Sequence, residues 1–420
     1  MKRIHVLIAV ILAVTSLGVY SSLKSQNTPK NTIHLNSTLK NSMSQIEGLT
    51  GMDQEMKAYL NKWNIKGASL AIMRNDSLVY AKGYGWADKD AGERMDVGHI
   101  MRVASVSKLI TAIGIMVLQD QGKITIKDKV FGPTGVLYRT YMNSLAKDPL
   151  YKELTIEHLL RHEGGYRRDA MFSSLTVKSQ MNLTEAPTAD DFIKYTLPRK
   201  LDFVPGTSQK YSNFSYLLLS RIIEVVSGMP YEKFIKEYVL KPAGCFDMHI
   251  AGNYLADKRK NEVHYYAHGN LEDRMVDEFN GSGNKVDKCY GGNNITVLSG
   301  AGAWCASPVE LARLVASVDG RDEVPDIISK EAFEQMTEYF TKEKFSLGWN
   351  DTNPEKGWNR TGTFTGTSAL VKYYPNNECW IMITNTSTWK GSRLTKVTDS
   401  LFRKCSYLYG HELPKRNLFD

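Results

Sequence analysis

The first strong β-prone pattern along the chain covers residues 67–74 (GASLAIMR) and 77–85 (SLVYAKGYG), two apolar runs separated only by Asn75-Asp76. Asn and Asp tolerate the left-handed backbone of a tight turn, so the pair of runs predicts a β-hairpin. The period then changes. Thr155-Ile156-Glu157 opens a helical stretch that ends near His162, and Thr188 with Asp191 three residues later predicts another capped helix. Between 214 and 227, Leu218, Leu219, Ile222, Ile223 and Val226 recur at helical spacing, with Gly228 as a stop. Ser307-Pro308-Val309-Glu310 has the form of a capping box with proline at the first helical position, opening a helix to about Ser317. Strand character returns at 367–374 (TSALVKYY) and 378–386 (ECWIMITNT) around a Pro375-Asn376-Asn377 turn, before a last helix near 391–406. Strands at both ends and helices between them predict an α/β fold. Its sheet is built from both chain ends and flanked by helices, with a helical subdomain inserted over about 110–290.

The front of the chain differs in kind. Lys2 and Arg3 precede an apolar run from about Val6 to Val19, and the chain turns polar at Ser21. This predicts an export signal or N-terminal anchor over 1–20, too short for a comfortable membrane span. Residues 21–45 are rich in Ser, Asn, Thr and Lys and predict a solvated linker, which leaves 46–410 as the folded domain.

Composition narrows the function classes. With 420 residues, 42% of them apolar and 23% charged, the chain is neither disordered nor a coiled coil. The net charge of +8 is spread out, with no run of five Lys or Arg, so nucleic acid is not an expected partner. Cys245, Cys289, Cys305, Cys379 and Cys405 show no CxxC or CxxH spacing, so no zinc site is expected. One or two disulfides are compatible with export.

Three short patterns carry candidate chemistry. In Ser105-Val106-Ser107-Lys108, serine and lysine at i and i+3 share a helix face, so the amine can reach the hydroxyl. A helix start favours negative charge developing there, and a lysine kept neutral by burial can act as a base. The spacing alone carries little weight, because Ser-x-x-Lys also starts at Ser21, Ser37, Ser144, Ser282 and Ser387. Tyr211-Ser212-Asn213 offers a phenol for proton transfer and an amide for positioning, although Tyr-x-Asn recurs at Tyr141 and Tyr374. Arg360-Thr361-Gly362 places a cation and a glycine ahead of a strand. His158 with His162, and His264 with His268, have the spacing of a helical metal pair, but lack the Glu of His-Glu-x-x-His and a third ligand. Ser107 and Ser212 read as local hydrogen-bonding residues. Tyr265, Tyr266, Trp304, Trp349 and Trp358 fit either a cleft wall or the core.

The surrounding phrases give these patterns their meaning. RVASVSKLITA, HLLRHEGG at 158–165, PGTSQKYSNFSYLLLSRIIEVVSG at 205–228, SGAGAWCASPVELARL at 299–314 and RTGTFTGTSA at 360–369 follow in one order. Together with the opening hairpin, the chain resembles the serine β-lactamase and penicillin-binding-protein superfamily over about residues 50 to 405. The likeness is to its branch of class C β-lactamases, D-Ala-D-Ala carboxypeptidases, D-aminopeptidases and family VIII esterases. The resemblance implies a β-lactamase-like fold, with Ser105 as acylated nucleophile, Lys108 as its activating partner and Tyr211 as the base that later protonates the leaving group. It further implies Asn213 as a substrate-positioning amide, and backbone N–H groups of Ser105 and Thr363 as the oxyanion hole, in a strand carrying Arg360, Thr361 and Gly362. Neither metal nor organic cofactor is implied.

One residue departs from the pattern. Where the family has Lys or His, this chain has Arg360, which cannot deprotonate and presents a planar fork suited to a carboxylate. Arg360 is therefore expected to recognise an anion or to set the local field. The expected protein is an exported, periplasmic or cell-envelope serine hydrolase with a small-molecule or peptide substrate, carboxylate-bearing if Arg360 reads it. D,D-peptidase or esterase activity is favoured over efficient β-lactam turnover. The alternative is a non-catalytic penicillin-binding or cell-wall-sensing protein that keeps the fold.

Overall fold

The structure is a computed structural model that describes residues 33–167, 169–340 and 345–420. The expected export segment and the first part of the expected linker lie outside the described residues. Helix α1 (Thr50–Trp63) leads into β1 (Gly67–Arg74) and β2 (Ser77–Asp88). Asn75 and Asp76 both take positive φ, 46° and 58°, as a tight hairpin turn requires. Short strands β3 (Glu93–Arg94) and β4 (Met101–Arg102) follow, then the central helix α2 (Ser107–Asp120). The middle of the chain holds α3 (Ile156–Leu160), α4 (Ala189–Thr196) and α5 (Asn213–Ser227), then β5 (His249–Ile250) and β6 (Trp304–Ala306). After α6 (Pro308–Ala316) come β7 (Trp358–Phe364), β8 (Thr367–Tyr373), β9 (Glu378–Thr384) and α7 (Leu394–Tyr409).

The main sheet has the order β3-β2-β1-β9-β8-β7, with neighbours antiparallel. Strand β1 from the front of the chain pairs with β9 from the back, Leu70 opposite Met382 and Ile72 opposite Trp380. The sheet is thus joined from both chain ends. Strands β8 and β9 are buried throughout and β1 nearly so, because helices cover both faces. On one face Met52 and Met56 of α1 and Phe402 and Cys405 of α7 pack against Leu70, Ile72, Trp380 and Met382. Helix α6 lies against β1, β2 and β9.

The cap signals fold as their chemistry dictates. Thr155 and Thr188 each close a reciprocal capping box, with His158 and Asp191, and Gly228 ends α5 at φ 69°. Ser307 caps α6 by accepting from Glu310 N–H, but the Glu310 carboxylate does not reach back. It accepts instead from Asp247 N–H at 2.8 Å and from Asn36 Nδ2 at 2.9 Å. Burial pushes the Glu310 carboxyl up to about 7, against those hydrogen bonds.

Two expectations are corrected. Residues 34–45 are not a solvated linker: Leu35, Asn36, Leu39 and Ser44 are buried. The polar side chains act as sockets. Asn41 accepts from Gly83 N–H and donates to the carbonyls of Gly83 and Met95, while Asn36 bridges Asp247 and Glu310. The fold also runs past 410, where Asn417 Oδ1 accepts from Leu78 N–H and Leu413 and Phe419 are buried. All five cysteines are buried and free.

Candidate active site

Ser105 sits in a 3-10 turn (Ala104–Val106) directly ahead of α2. Ala104 holds φ 47°, a strained value for a residue with a Cβ, and Val103 N–H is anchored to the carbonyl of Trp304 at 2.9 Å. Lys108, in the first turn of α2, is fully buried, and its three donors meet three acceptors. They are Ser105 Oγ at 3.3 Å, Asn213 Oδ1 at 2.7 Å and the carbonyl of Ala301 at 2.6 Å. Tyr211 is 36% exposed, yet its hydroxyl is hydrogen-bonded to Ser105 Oγ at 2.6 Å. Two residues on, Asn213 begins α5, whose cap is Ser212 Oγ accepting from Ser215 N–H. Asn213 N–H donates to Asp169 Oδ2 at 2.6 Å, which ties the 169–172 loop to the motif.

Strand β7 closes the site. A Cβ at Gly362 would stand 2.1 Å from the carbonyl oxygen of Val103 and 3.0 Å from Ser105 N, so only glycine lets β7 approach the Ser105 turn. Strand β7 is a sheet edge, and N–H groups on an antiparallel edge strand alternate between partner and open side. Asn359 N–H donates outward to the carbonyl of Asp351, and Thr361 N–H to Asn350 Oδ1. The same alternation turns Thr363 N–H to the open side of β7. Asn359 and Thr361 also line a cavity of about 590 Å³ with Lys372, Lys396 and Arg403.

Arg360 runs inward. It is only 1% exposed, its Nε donates to the carbonyl of Ser105 at 2.8 Å, and among the described residues Nη1 and Nη2 have no hydrogen-bond partner. Its charge is felt throughout the site. Burial would raise the Tyr211 phenol, but the Lys108 and Arg360 cations outweigh it and hold the phenol below its ordinary value. Lys108 is itself lowered, by burial first and against the pull of Tyr211, with Arg360 adding to the drop. His162 lies well below its usual value because it is buried and faces Lys108 and Arg360, so its imidazole is neutral. That ring lies tilted against Tyr211 with ring centres 4.5 Å apart, meets Tyr216 and Phe345, and accepts from Ser212 N–H through Nδ1.

Ser105, Lys108, Tyr211 and Asn213 therefore meet at hydrogen-bonding distances, with Arg360, Thr361, Gly362 and Thr363 on the strand alongside. The histidine pairs serve other ends: His158 caps α3, His162 supports Tyr211, and His264 lies outside any helix beside Asp88, Tyr266 and Tyr290. Tyr265, Trp304 and Trp349 are core. The rim aromatics are Phe172, 52% exposed, and Phe364, with ring centres 6.0 Å apart. Asp169 and the Ala301 carbonyl have no short-motif signal and emerge only from the fold.

Residues 52–398 match the Beta-lactamase family. The Bacillus subtilis protein PbpX, named as a candidate penicillin-binding protein, is 25% identical over 367 residues, covering 87% of this chain and 81% of its own length. Against other curated relatives named as penicillin-binding protein or carboxypeptidase, this chain spans less than half of their length. Among solved structures, an octameric penicillin-binding protein homologue from Pyrococcus abyssi superposes with a TM-score of 0.65 at 23% identity, over 85% of this chain and 77% of that one. A D-amino acid amidase from Ochrobactrum anthropi superposes at 0.63 with 16% identity, over 86% and 99%. These likenesses show a shared β-lactamase-like fold. With the family match spanning most of its length, the chain belongs to the Beta-lactamase family.

Proposed function

We propose that the protein is an exported serine hydrolase that forms an acyl-enzyme on Ser105 and cleaves esters, amides or D-amino-acid peptide bonds. The observation that carries this reading is the contact of Ser105 Oγ with Tyr211 Oη at 2.6 Å and Lys108 Nζ at 3.3 Å. Lys108, with all three N–H groups matched to acceptors, acts as a fixed ammonium. Tyr211, held low by Lys108 and Arg360, takes the Ser105 proton as Oγ attacks the acyl carbon. The developing oxyanion is received by Ser105 N–H and Thr363 N–H, a pair in which each donor is worth roughly 3–4 kcal/mol of the barrier. The Tyr211 proton then passes to the leaving amine or alcohol. Water attacks the acyl-enzyme with Tyr211 again as acceptor, and Ser105 recovers the proton on release. Asn213 orients the acyl group while bonded to Lys108.

Arg360 fits the role of setting the field rather than gripping a substrate carboxylate, since its fork is closed off from solvent. The exposed Phe172 with Phe364, next to Thr363, suits an apolar acyl substituent. Esters and D-amino-acid amides are thus favoured over substrates recognised by a free carboxylate, β-lactams included. The hydrogen-bonding contacts of Ser105 with Tyr211 and Lys108 favour turnover over a binding-only role. Export rests on Lys2-Arg3 and the apolar run to Val19.

Intact-mass detection of the acyl-enzyme with p-nitrophenyl esters, D-amino-acid amides, D-Ala-D-Ala peptides and penicillins tests the reading. Acylation confined to Ser105, with fastest turnover of apolar esters and amides, is the expected result. Ser105→Ala should stay folded and resist a serine-directed fluorophosphonate; labelling of that variant rejects the nucleophile.

A further inference from the structure

The small sheet, ordered β4-β6-β5, assembles a second cluster that the acyl chemistry does not use. Cys305 on β6 stands opposite Arg102 on β4 and opposite His249 on β5, and directly opposed residues share a sheet face. Glu262 joins this row from a segment that bridges to Ile100. His249 Nε2 lies 3.6 Å from Glu262 Oε2, and Cys305 Sγ lies 3.6 Å from Glu262 Oε1. The three ligand atoms all fall within 4.8 Å of one another, and all three residues are buried.

Their orientation is fixed from behind. His249 Nδ1 is 2.8 Å from the carbonyl of Asp247, a contact that requires the ring proton on Nδ1 when the imidazole is neutral and leaves the Nε2 lone pair facing the carboxylate. Nε2 is buried with no hydrogen-bond partner among the described residues. A lone pair turned toward a carboxylate in a dry site suits a cation between them. Tyr265 Oη donates to Glu262 Oε1 at 2.8 Å and accepts from Arg102 N–H at 2.9 Å, so the carboxylate is oriented as metal-binding carboxylates are.

We propose that His249 Nε2, a Glu262 carboxylate oxygen and Cys305 Sγ bind one divalent transition-metal ion of the zinc class. The mixed nitrogen, oxygen and sulfur donor set has the borderline softness that such an ion selects. On binding, the Cys305 thiol gives its proton to solvent as the sulfur–metal bond forms, and the thiolate and carboxylate together neutralise the dication. Arg102, whose guanidinium is held by the carbonyls of Cys289 and Gly252 and lies 4.3 Å from the Tyr265 ring centre, balances Glu262 in metal-free chains. The ion would be structural. It would pin β5, β6 and the Glu262 segment beside β4, three residues ahead of Ser105.

The test uses the full chain, expressed with added zinc and purified under reducing conditions without chelator. Elemental analysis should give about one zinc per chain, reduced several-fold in Cys305→Ser and His249→Gln. Because the cluster is closed to solvent, a second sample is stripped in denaturant and refolded with cobalt(II). It should show thiolate-to-cobalt charge-transfer absorption in the near ultraviolet, absent in Cys305→Ser and retained in Cys379→Ser. A folded wild-type chain with no stoichiometric metal in either sample overturns the proposal. So does an unchanged metal content and band in Cys305→Ser. If the variants fail to fold, the two wild-type measurements decide alone.

Discussion

At one end of β8, Thr367 Oγ1 donates to the carbonyl of Arg102, just ahead of the Ser105 turn; at the other, Tyr373 Oη donates to Asp319 Oδ2. Buried charge collects at both ends. Around Ser105 stand two buried cations, Lys108 and Arg360, facing one ionisable phenol, with the Asp169 carboxylate on Asn213 N–H. Around Tyr373 the groups are carboxyls: Asp76 in the β1–β2 turn, Asp319 and Asp326, with Arg321 paired to Asp76 at 3.1 Å. Burial pushes acids upward at both ends. At the far end Asp76 adds its own repulsion and the Asp319 carboxyl is driven well above the carboxylate range, while Asp326 rises to about 6 mainly through burial. At the near end the cations reverse the trend, and Tyr211 is held down. Like charges gathered in the core keep a proton in place, whereas an acid set among cations is readied to take and return one.

The comparison breaks most visibly at the phenol. Tyr211→Phe keeps the ring against His162 but removes the hydroxyl proposed as proton acceptor, and should lower kcat by about 10³-fold with the fold intact by circular dichroism. Activity within tenfold of wild type would show that Lys108 alone activates Ser105. Next comes the field. Arg360→Gln removes a cation that depresses Tyr211, so the phenol rises and the limb of kcat/KM that increases with pH moves to higher pH. A loss of roughly 10-fold to 100-fold at neutral pH is expected, recovered in part in alkali. A uniform loss at every pH would mean that Arg360 acts only through the Ser105 carbonyl. The smallest effect belongs to the far end. Asp319 has a folded-state value above its unfolded one, so the folded state holds the extra proton. Its contribution to stability is complete below the ordinary carboxylate range and is lost as pH rises toward the folded value. Asp319→Asn should flatten this decline, with a gain of about 1 kcal/mol near neutral pH in urea unfolding. An unchanged pH dependence would remove Asp319 from the account.

Much of the scaffold was legible in the sequence. The two hairpins and the caps at Thr155, Thr188, Ser307 and Gly228 are local devices, set by residues within four positions of one another. Ser105, Lys108, Tyr211 and Asn213 were legible only through the phrases around them, because five other Ser-x-x-Lys copies have the same spacing. What escaped depends on long-range pairing. Residues 34–45 look solvated until Asn36 finds Asp247 and Glu310, more than 200 positions away. Arg360 looks like a surface fork until strand register turns it inward, beneath Ser105. His249, Glu262 and Cys305 have no ligand spacing in sequence, since it is the pairing of β5 with β6 that brings them together.

Gly362 makes the two faces of β7 unequal in what they tolerate. Any side chain there would collide with the Val103 carbonyl, and its inward neighbour Arg360 is fixed to the Ser105 carbonyl, so a change on the inward face of β7 shifts the Ser105 turn. Asn359 and Thr361, one step away, border an open cavity where replacements meet little resistance. A side chain on one face of this strand can thus be exchanged at little steric cost, whereas on the other face an exchange displaces the turn that carries Ser105.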